Sequence, residues 1–308
     1  MKAKDPRDPL SRLGPLFGGE QVTVSPPEPA GPHPDDRLLW RPGDPSSKKK
    51  IRIGTSGYSF KDWVGPFYPE GTASRQMLPY YAARFPAVEV NVTYYRLPEA
   101  RTFRQMETKT PGGFEFFVKL QKELTHGRKR DPADVEAFAD SVGPLVEAGK
   151  YRGALAQFPF SFRNTAENRQ YLEWLSGRYP WRPLVMEFRH DSWNREETYG
   201  LLENEGLDFC CVDEPPLEGL FPPQVRLTGE TGYIRFHGRN EKTWWEGSGS
   251  QRYNYLYSQE ELAEWVGKVR ELAAQAKVTY VFFNNCHAGR AIQNARMMGD
   301  LLKLAHPS

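Results

Sequence analysis

From Ile51 onward, short runs rich in β-branched and aromatic residues alternate with amphipathic segments of helical period, which leaves few architectures open. The runs are IRIGTS (51–56), VEVNVTYY (88–95), FEFFVKL (114–120), GALAQF (153–158), LVMEFR (184–189), LDFCCVD (207–213), GYIRFHG (232–238) and VTYVFFNN (278–285), eight in all. Strands joined through helices run parallel, since each crossover brings the chain back to start the next strand from the same end. Eight such units over about 250 residues predict a closed (β/α)8 barrel of the TIM type. An open doubly wound sheet would show a glycine fingerprint after its first strand, and GTSG (54–57) lacks the GxGxxG spacing. No nucleotide-cofactor motif is present, and the cofactor is unknown.

The segments between the runs carry helix signals. MLPYYAARF (77–85) and TFRQMETK (102–109) follow the first two strands. ADVEAFADSVGPLVEAG (133–149) follows the third, with Asp131 as its cap and Pro132 at the first helical position. NRQYLEWLSGR (168–178) puts Tyr171, Leu172 and Leu175 on one face, and REETYGLLENEG (195–206) ends at Gly206. SQEELAEWVGKVRELAAQA (258–276) opens with a capping box, Ser258 facing Glu261, and AIQNARMMGDLLKL (291–304) closes the chain. The sixth gap, EPPLEGLFPPQVRLTGET (214–231), is rich in proline and only weakly helical.

Residues 1–49 are crowded with proline, glycine and charge, as in SPPEPAGPHPDD (25–36), and cannot bury enough surface to offset the entropy of ordering. They read as a disordered tail ahead of a barrel domain over 50–305. Leu38, Leu39 and Trp40 are its local docking point, and Lys48 to Lys50 read as a solvated linker.

The formal net charge is +2, so no global field argues for nucleic acid. No run of eighteen apolar residues could span a bilayer. Cys210, Cys211 and Cys286 have no CxxC spacing, which fits a reducing compartment, and no leader pattern opens the chain. A soluble, cytoplasmic protein is expected.

The strand ends are where the chemistry collects. In a strand, Val185, Glu187 and Arg189 share one face while Leu184, Met186 and Phe188 share the other. Lys119, Gln157, Asp213, Asn285 and the alternating set Arg235, His237 and Arg239 also fall near the ends of their runs, as do Asn91 and Thr93. Barrel interiors are normally filled by branched aliphatics, so a polar ring at the mouth points to a ligand site. Lys119, Arg189, Arg235 and Arg239 outnumber Glu187 and Asp213, which favours a small anionic ligand such as phosphate or carboxylate. Glu187 is the best general base and His237 its acid/base partner, with Lys119 and Asp213 completing the catalytic set. Asn91, Gln157 and Asn285 are orienting groups. His126, in THGRKR (125–130), reads as an exposed loop residue, and Cys286 beside His287 as a buried thiol rather than a nucleophile.

No HExxH or clustered cysteine set is present, so no metal site is predicted, although one hard divalent ion on Glu187 and Asp213 stays open. The loop GRNEKTWWEGSGSQRYNYLYS (238–258) carries Trp244, Trp245, Tyr253 and Tyr255. It either forms a lid whose Trp245 and Tyr253 stack on a base or sugar ring, or simply packs onto the barrel.

GTSGYSFKDWVGPFYP (54–69), VEVNVTYYRLP (88–98), FEFFVKL followed by TH, GALAQFPFSF (153–162), MEFRHDSW, VDEP, YIRFHGR and VFFNN together resemble the YecE-like family, a domain of unknown function. The resemblance covers about residues 51–305 and implies a TIM-type barrel without implying a reaction. It marks Asn91, Lys119, Gln157, Glu187, Arg189, His190, Asp213, Arg235, His237, Arg239 and Asn285 for testing. Two functions follow as expectations. The first is acid/base catalysis on a small anionic or sugar-containing, phosphorylated substrate, with isomerase, lyase and hydrolase chemistry all open. The alternative is nucleic-acid binding or a phosphodiesterase, with the cations on backbone phosphates and the aromatic loop on a base.

Overall fold

Eight strands close on themselves in sequence order: β1 Ile51–Ser56, β2 Ala87–Val90, β3 Glu115–Lys119, β4 Tyr151–Gln157, β5 Leu184–Glu187, β6 Asp208–Asp213, β7 Thr231–Phe236 and β8 Val278–Phe283. Every neighbouring pair is parallel, including the closing pair of β1 with β8. The architecture is the expected (β/α)8 barrel. This computed structural model describes residues 39–40, 50–246 and 249–304.

The helices among the described residues are α1 Ser74–Ala82, α2 Val92–Tyr95, α3 Ala100–Thr108, α4 Pro132–Glu147, α5 Ala166–Arg178, α6 Glu196–Asn204, α7 Gly249–Arg252, α8 Gln259–Gln275 and α9 Arg290–Leu301. Local chemistry fixes several of their starts. Asp131 accepts from the Ala133 N–H ahead of Pro132, and Ser258 and Glu261 form the reciprocal capping box. In α5, Tyr171, Leu172 and Leu175 are buried together.

Two expectations are corrected. VEVNVTYY is not one strand: pairing stops at Val90, Asn91 turns to φ −107 and ψ −6, and α2 follows at once. Tertiary contacts outweigh the β propensity of Val92 to Tyr95, since the Thr93 hydroxyl donates to the Lys119 carbonyl and the Tyr94 ring lies under the Lys119 amine. The sixth gap holds no helix among the described residues. Pro215, Pro216, Pro222 and Pro223 supply no N–H, and the segment is tied instead by a bridge between His190 and Leu220.

The barrel interior is layered. Near the strand starts, Glu115 on β3 meets Arg52 on β1, Arg152 on β4 and the Tyr280 hydroxyl on β8. Above it Phe117 packs edge-on against Tyr233 and Tyr280, with ring centroids 4.8 and 4.7 Å away. This aromatic layer is the floor of the polar mouth. Leu39 and Trp40 are buried near the strand starts, with the Leu39 N–H on the Arg84 carbonyl at 3.2 Å and Trp40 against Phe114. Leu38 and the remainder of the expected tail, with His33 and His306, lie outside the described residues.

Candidate functional site

Glu187 ends β5 and is completely buried. A carboxylate without solvent needs charged or hydrogen-bonding partners, and Glu187 has two arginines for the first and a histidine for the second. Its Oε1 lies 2.8 Å from Arg189 Nε and 3.2 Å from His237 Nε2, and its Oε2 accepts from Arg235 Nη1 at 2.5 Å. Arg235, on β7, also donates to Glu89 Oε1 at 2.7 Å and reaches Ser56 Oγ at 3.4 Å. Glu89 in turn accepts from the Tyr233 hydroxyl at 2.7 Å. On the other side, Arg189 Nη1 donates to Glu214 Oε2 at 2.6 Å. The result is a chain of alternating charge, Glu89, Arg235, Glu187, Arg189, Glu214, contributed by four strands or the residues just beyond them.

The electrostatics follow from this order. Burial would raise the Glu187 carboxyl, but Arg235, Arg189 and His237 together hold it well below the usual carboxylate range. Burial, with Arg189 adding to it, keeps His237 well below its ordinary value and therefore neutral. Its Nδ1 accepts from Asn284 Nδ2 at 3.0 Å, which leaves the ring hydrogen on Nε2, facing Glu187. Glu214 is pushed up to about 7 by burial, which Arg189 only partly offsets.

Lys119 stands at the end of β3, on the face it shares with Phe117. Its Nζ donates to Gln157 Oε1 at 2.7 Å and sits 4.4 Å above the Tyr94 ring, and among the described residues it forms no ion pair with a carboxylate. Burial, reinforced by Arg235, brings its pKa down to about 7. The Gln157 amide is fixed from its other end by the Phe158 carbonyl. His126, expected to be exposed, is largely enclosed, with its ring 5.0 Å from Tyr94. Burial and the nearby Lys119 hold it down to about 3.

The structure brings together Glu187, His237, Lys119, Gln157, Arg189 and Arg235. It does not bring Asp213 to them. Cys210 Sγ points at Glu187, and Asp213, three positions further along β6, lies on the opposite face. There it accepts from Trp265 Nε1 on α8 at 2.7 Å and from the Tyr257 hydroxyl at 2.6 Å, and takes a two-pronged contact from Arg239. Asp213 and Arg239 therefore brace β6 and β7 against α8. Asn285 is likewise turned away, onto the Tyr255 carbonyl and Asn294 of α9, and its neighbour Asn284 meets His237 instead. Asn91 occupies the N-cap position of α2 without a side-chain cap bond, and its Oδ1 is buried with no hydrogen-bond partner among the described residues.

Pattern reading missed Glu89 and Glu214, and of the two asparagines that close β8 it chose Asn285 over Asn284. Glu89 was within reach, because the alternation that selects Asn91 and Thr93 also selects the residue two before Asn91. With Asp213 and Arg239 removed and Glu89 and Glu214 added, three cations (Lys119, Arg189, Arg235) face three carboxylates, and the expected cationic surplus disappears. A divalent ion shared by Glu187 and Asp213 is also ruled out by their placement on opposite sides of the sheet. Among the described residues, no group of three or more histidine, cysteine or acidic side chains is arranged to hold a metal. Burial pushes the Cys286 thiol up, and its Sγ rests on the Ser56 carbonyl.

The aromatic loop after β7 folds over this cluster. Trp244 is buried beneath two guanidinium groups, Arg252 at 5.0 Å and Arg189 at 5.8 Å, and Tyr253 lies 6.0 Å from the His237 ring. Trp245 stands at the rim against Phe160, which in turn contacts His190. Tyr253 and Trp245 thus border the mouth, while Tyr255 is held by Glu261 and packs on Tyr257.

Residues 52–308 match the family described as "Protein of unknown function DUF72". The chain belongs to the DUF72 family. A relative, the UPF0759 protein YunF of Bacillus subtilis, is 34% identical over 273 residues, covering 83% of this chain and 96% of that protein. A crystal structure of a DUF72 family protein from Thermotoga maritima is 48% identical and superposes with a TM-score of 0.78, covering 82% of this chain and 99% of that one. A DUF72 family protein from Enterococcus faecalis is 26% identical with a TM-score of 0.74, covering 83% and 97%. None of the described helices of this DUF72 chain is long and apolar enough to cross a membrane.

Proposed function

We propose that this DUF72 protein is an enzyme that transfers protons on a small hydroxylated, sugar-like substrate held at the C-terminal mouth of the barrel. The observation that carries the reading is Lys119: in a cluster where each arginine is paired with carboxylates, its amine faces an amide and an aromatic ring. Lys119 and Glu214, both poised at about 7, exchange protons near neutrality. Glu187 and His237 hold the framework, since neither changes charge there. Arg189 and Arg235 are spent on carboxylates, so the sugar-like arm of the expectation is favoured over the anionic one. Arg239 is likewise committed to Asp213, and no observation favours the nucleic-acid alternative.

The test is a panel of aldoses, ketoses and polyols incubated with protein in deuterium oxide and read by NMR for carbon-bound deuterium or new products. Conversion by the wild type, at least hundredfold slower with Lys119→Met, is expected. No protein-dependent change anywhere in the panel sinks the reading.

A further inference from the structure

Two lysines among the described residues are buried, and they are built differently. Lys150 Nζ donates to the Glu107 carbonyl and the Thr110 carbonyl, each at 2.7 Å, reaches Thr110 Oγ1 at 3.1 Å and pairs with Glu107 Oε1 at 3.2 Å. That is a satisfied ammonium, holding two segments together. Lys119 Nζ has one hydrogen-bond acceptor among the described residues, the Gln157 amide oxygen, with the Tyr94 ring as its other close neighbour. Three N–H donors on an ammonium call for more than one acceptor, whereas a neutral amine with one N–H on Gln157 keeps its lone pair free. A buried lysine beside other cations is how proteins keep an amine nucleophilic, and here burial and the Arg235 charge both disfavour the ammonium form.

The position suits a nucleophile. Lys119 ends β3, and in barrels of this type chemistry is done by residues at strand C-terminal ends. The aromatic layer of Phe117, Tyr233 and Tyr280 closes the interior below it.

We propose that the substrate is an aldehyde or ketone bearing hydroxyl groups, and that Lys119 captures its carbonyl carbon as a Schiff base; this rests on the reading of the mouth as an enzyme site. The amine lone pair forms the C–N bond as the carbonyl π pair moves onto oxygen. One amine hydrogen and one proton from solvent then leave with that oxygen as water, the C=N bond remains with the second hydrogen on its nitrogen, and no oxidant or reductant is consumed. The protonated imine withdraws electrons from the adjacent carbon and acidifies its C–H, which connects capture to proton transfer.

The experiment is reductive trapping on the full chain. Glycolaldehyde and dihydroxyacetone are the probes, with cyanoborohydride as the trap, and the modified lysines are located by peptide mass spectrometry. The peptide containing Lys119 is expected to gain the reduced adduct at least tenfold faster than those containing buried Lys150 or exposed Lys109 and Lys122. Trapping should rise steeply as pH passes 7. Lys119→Met should lose that adduct and keep the labelling of the other lysines, and the wild-type map decides the matter even if the variant folds poorly. Labelling that follows exposure, with Lys122 modified and Lys119 intact, overturns the Schiff base. If Lys119-dependent deuterium exchange persists in that case, only the covalent step falls; if exchange is absent too, the enzyme reading falls with it.

Discussion

Arg235 Nη1 donates to Glu187 Oε2 across 2.5 Å at a place where the Glu187 side chain is wholly buried and the Arg235 side chain nearly so. The pair is part of a longer chain of charge, so removing one member leaves the rest unbalanced. Glu187→Gln deprives both Arg189 and Arg235 of a carboxylate at once. Arg235 keeps Glu89 and Arg189 keeps Glu214, so the expected cost lies at the lower end of the ~3–5 kcal/mol typical of breaking a buried ion pair. Urea unfolding of this variant should show a loss in that range, and a loss below about 1 kcal/mol would mean that water reaches the cluster. Glu187→Gln is therefore a poor probe of catalysis alone, since its inactivity would include misfolding.

The barrel was legible because its signals are local and repeated. Alternation at period two, helical stripes and the caps at Asp131 and Ser258 all act within a few residues. The network of Glu187, Arg189, Arg235 and His237 was also legible, because β5 and β7, with β6 between them, each place polar residues at alternate positions. What escaped was the consequence of the last residue of a strand. Asp213 reads as part of the mouth until one counts from Cys210 and finds it on the helix side, where Trp265 and Tyr257 await it. Asn284 and Asn285 exchange roles for the same reason: a shift of one residue changes the face. Glu214 lies beyond β6 in a proline-rich turn, where no periodicity tells which way a side chain points.

The two groups poised at about 7 leave opposite marks on stability. Lys119 has a folded value below its ordinary 10.5, so between about 7 and 10.5 the unfolded chain binds more protons and stability rises with pH. Glu214 has a folded value above its ordinary 4.5, so between 4.5 and about 7 the native state binds more protons and stability falls as pH rises. Each group contributes a slope approaching ~1.4 kcal/mol per pH unit inside its window. Denaturant unfolding of Lys119→Met against wild type from pH 7 to 9 should therefore show the variant's relative advantage shrinking as pH rises. Glu214→Gln from pH 5 to 7 should show the reverse, an advantage that grows. Parallel curves in either window would place that group in contact with solvent.

Asp213 offers a control for the site. Asp213→Asn removes the charge that Arg239, Trp265 and Tyr257 address, in a network on the far side of β6 from Cys210 and Glu187. Hydrogen bonds to a charged group are worth about 1.5–3 kcal/mol each, so a destabilisation of about 2–4 kcal/mol is expected. The pH dependence of Lys119 trapping should be unchanged at temperatures where the variant is folded. A shift of that profile by a full pH unit would show that Asp213 communicates with the mouth.

At the other end of the barrel, Gly299 in α9 is held small by Leu39: a Cβ at Gly299 would lie 2.2 Å from Leu39 Cδ2. Gly299→Ala improves helix propensity by up to about 1 kcal/mol but displaces a buried side chain, and overpacking typically costs about 1–3 kcal/mol. The single substitution is expected to be neutral to destabilising. Leu39→Ala removes the obstructing methyl groups, and on that background Gly299→Ala should become stabilising. The two changes are thus coupled, with an interaction energy of about 1–2 kcal/mol in a double-mutant cycle. Additivity within about 0.3 kcal/mol would mean that Leu39 does not dock against α9 in solution.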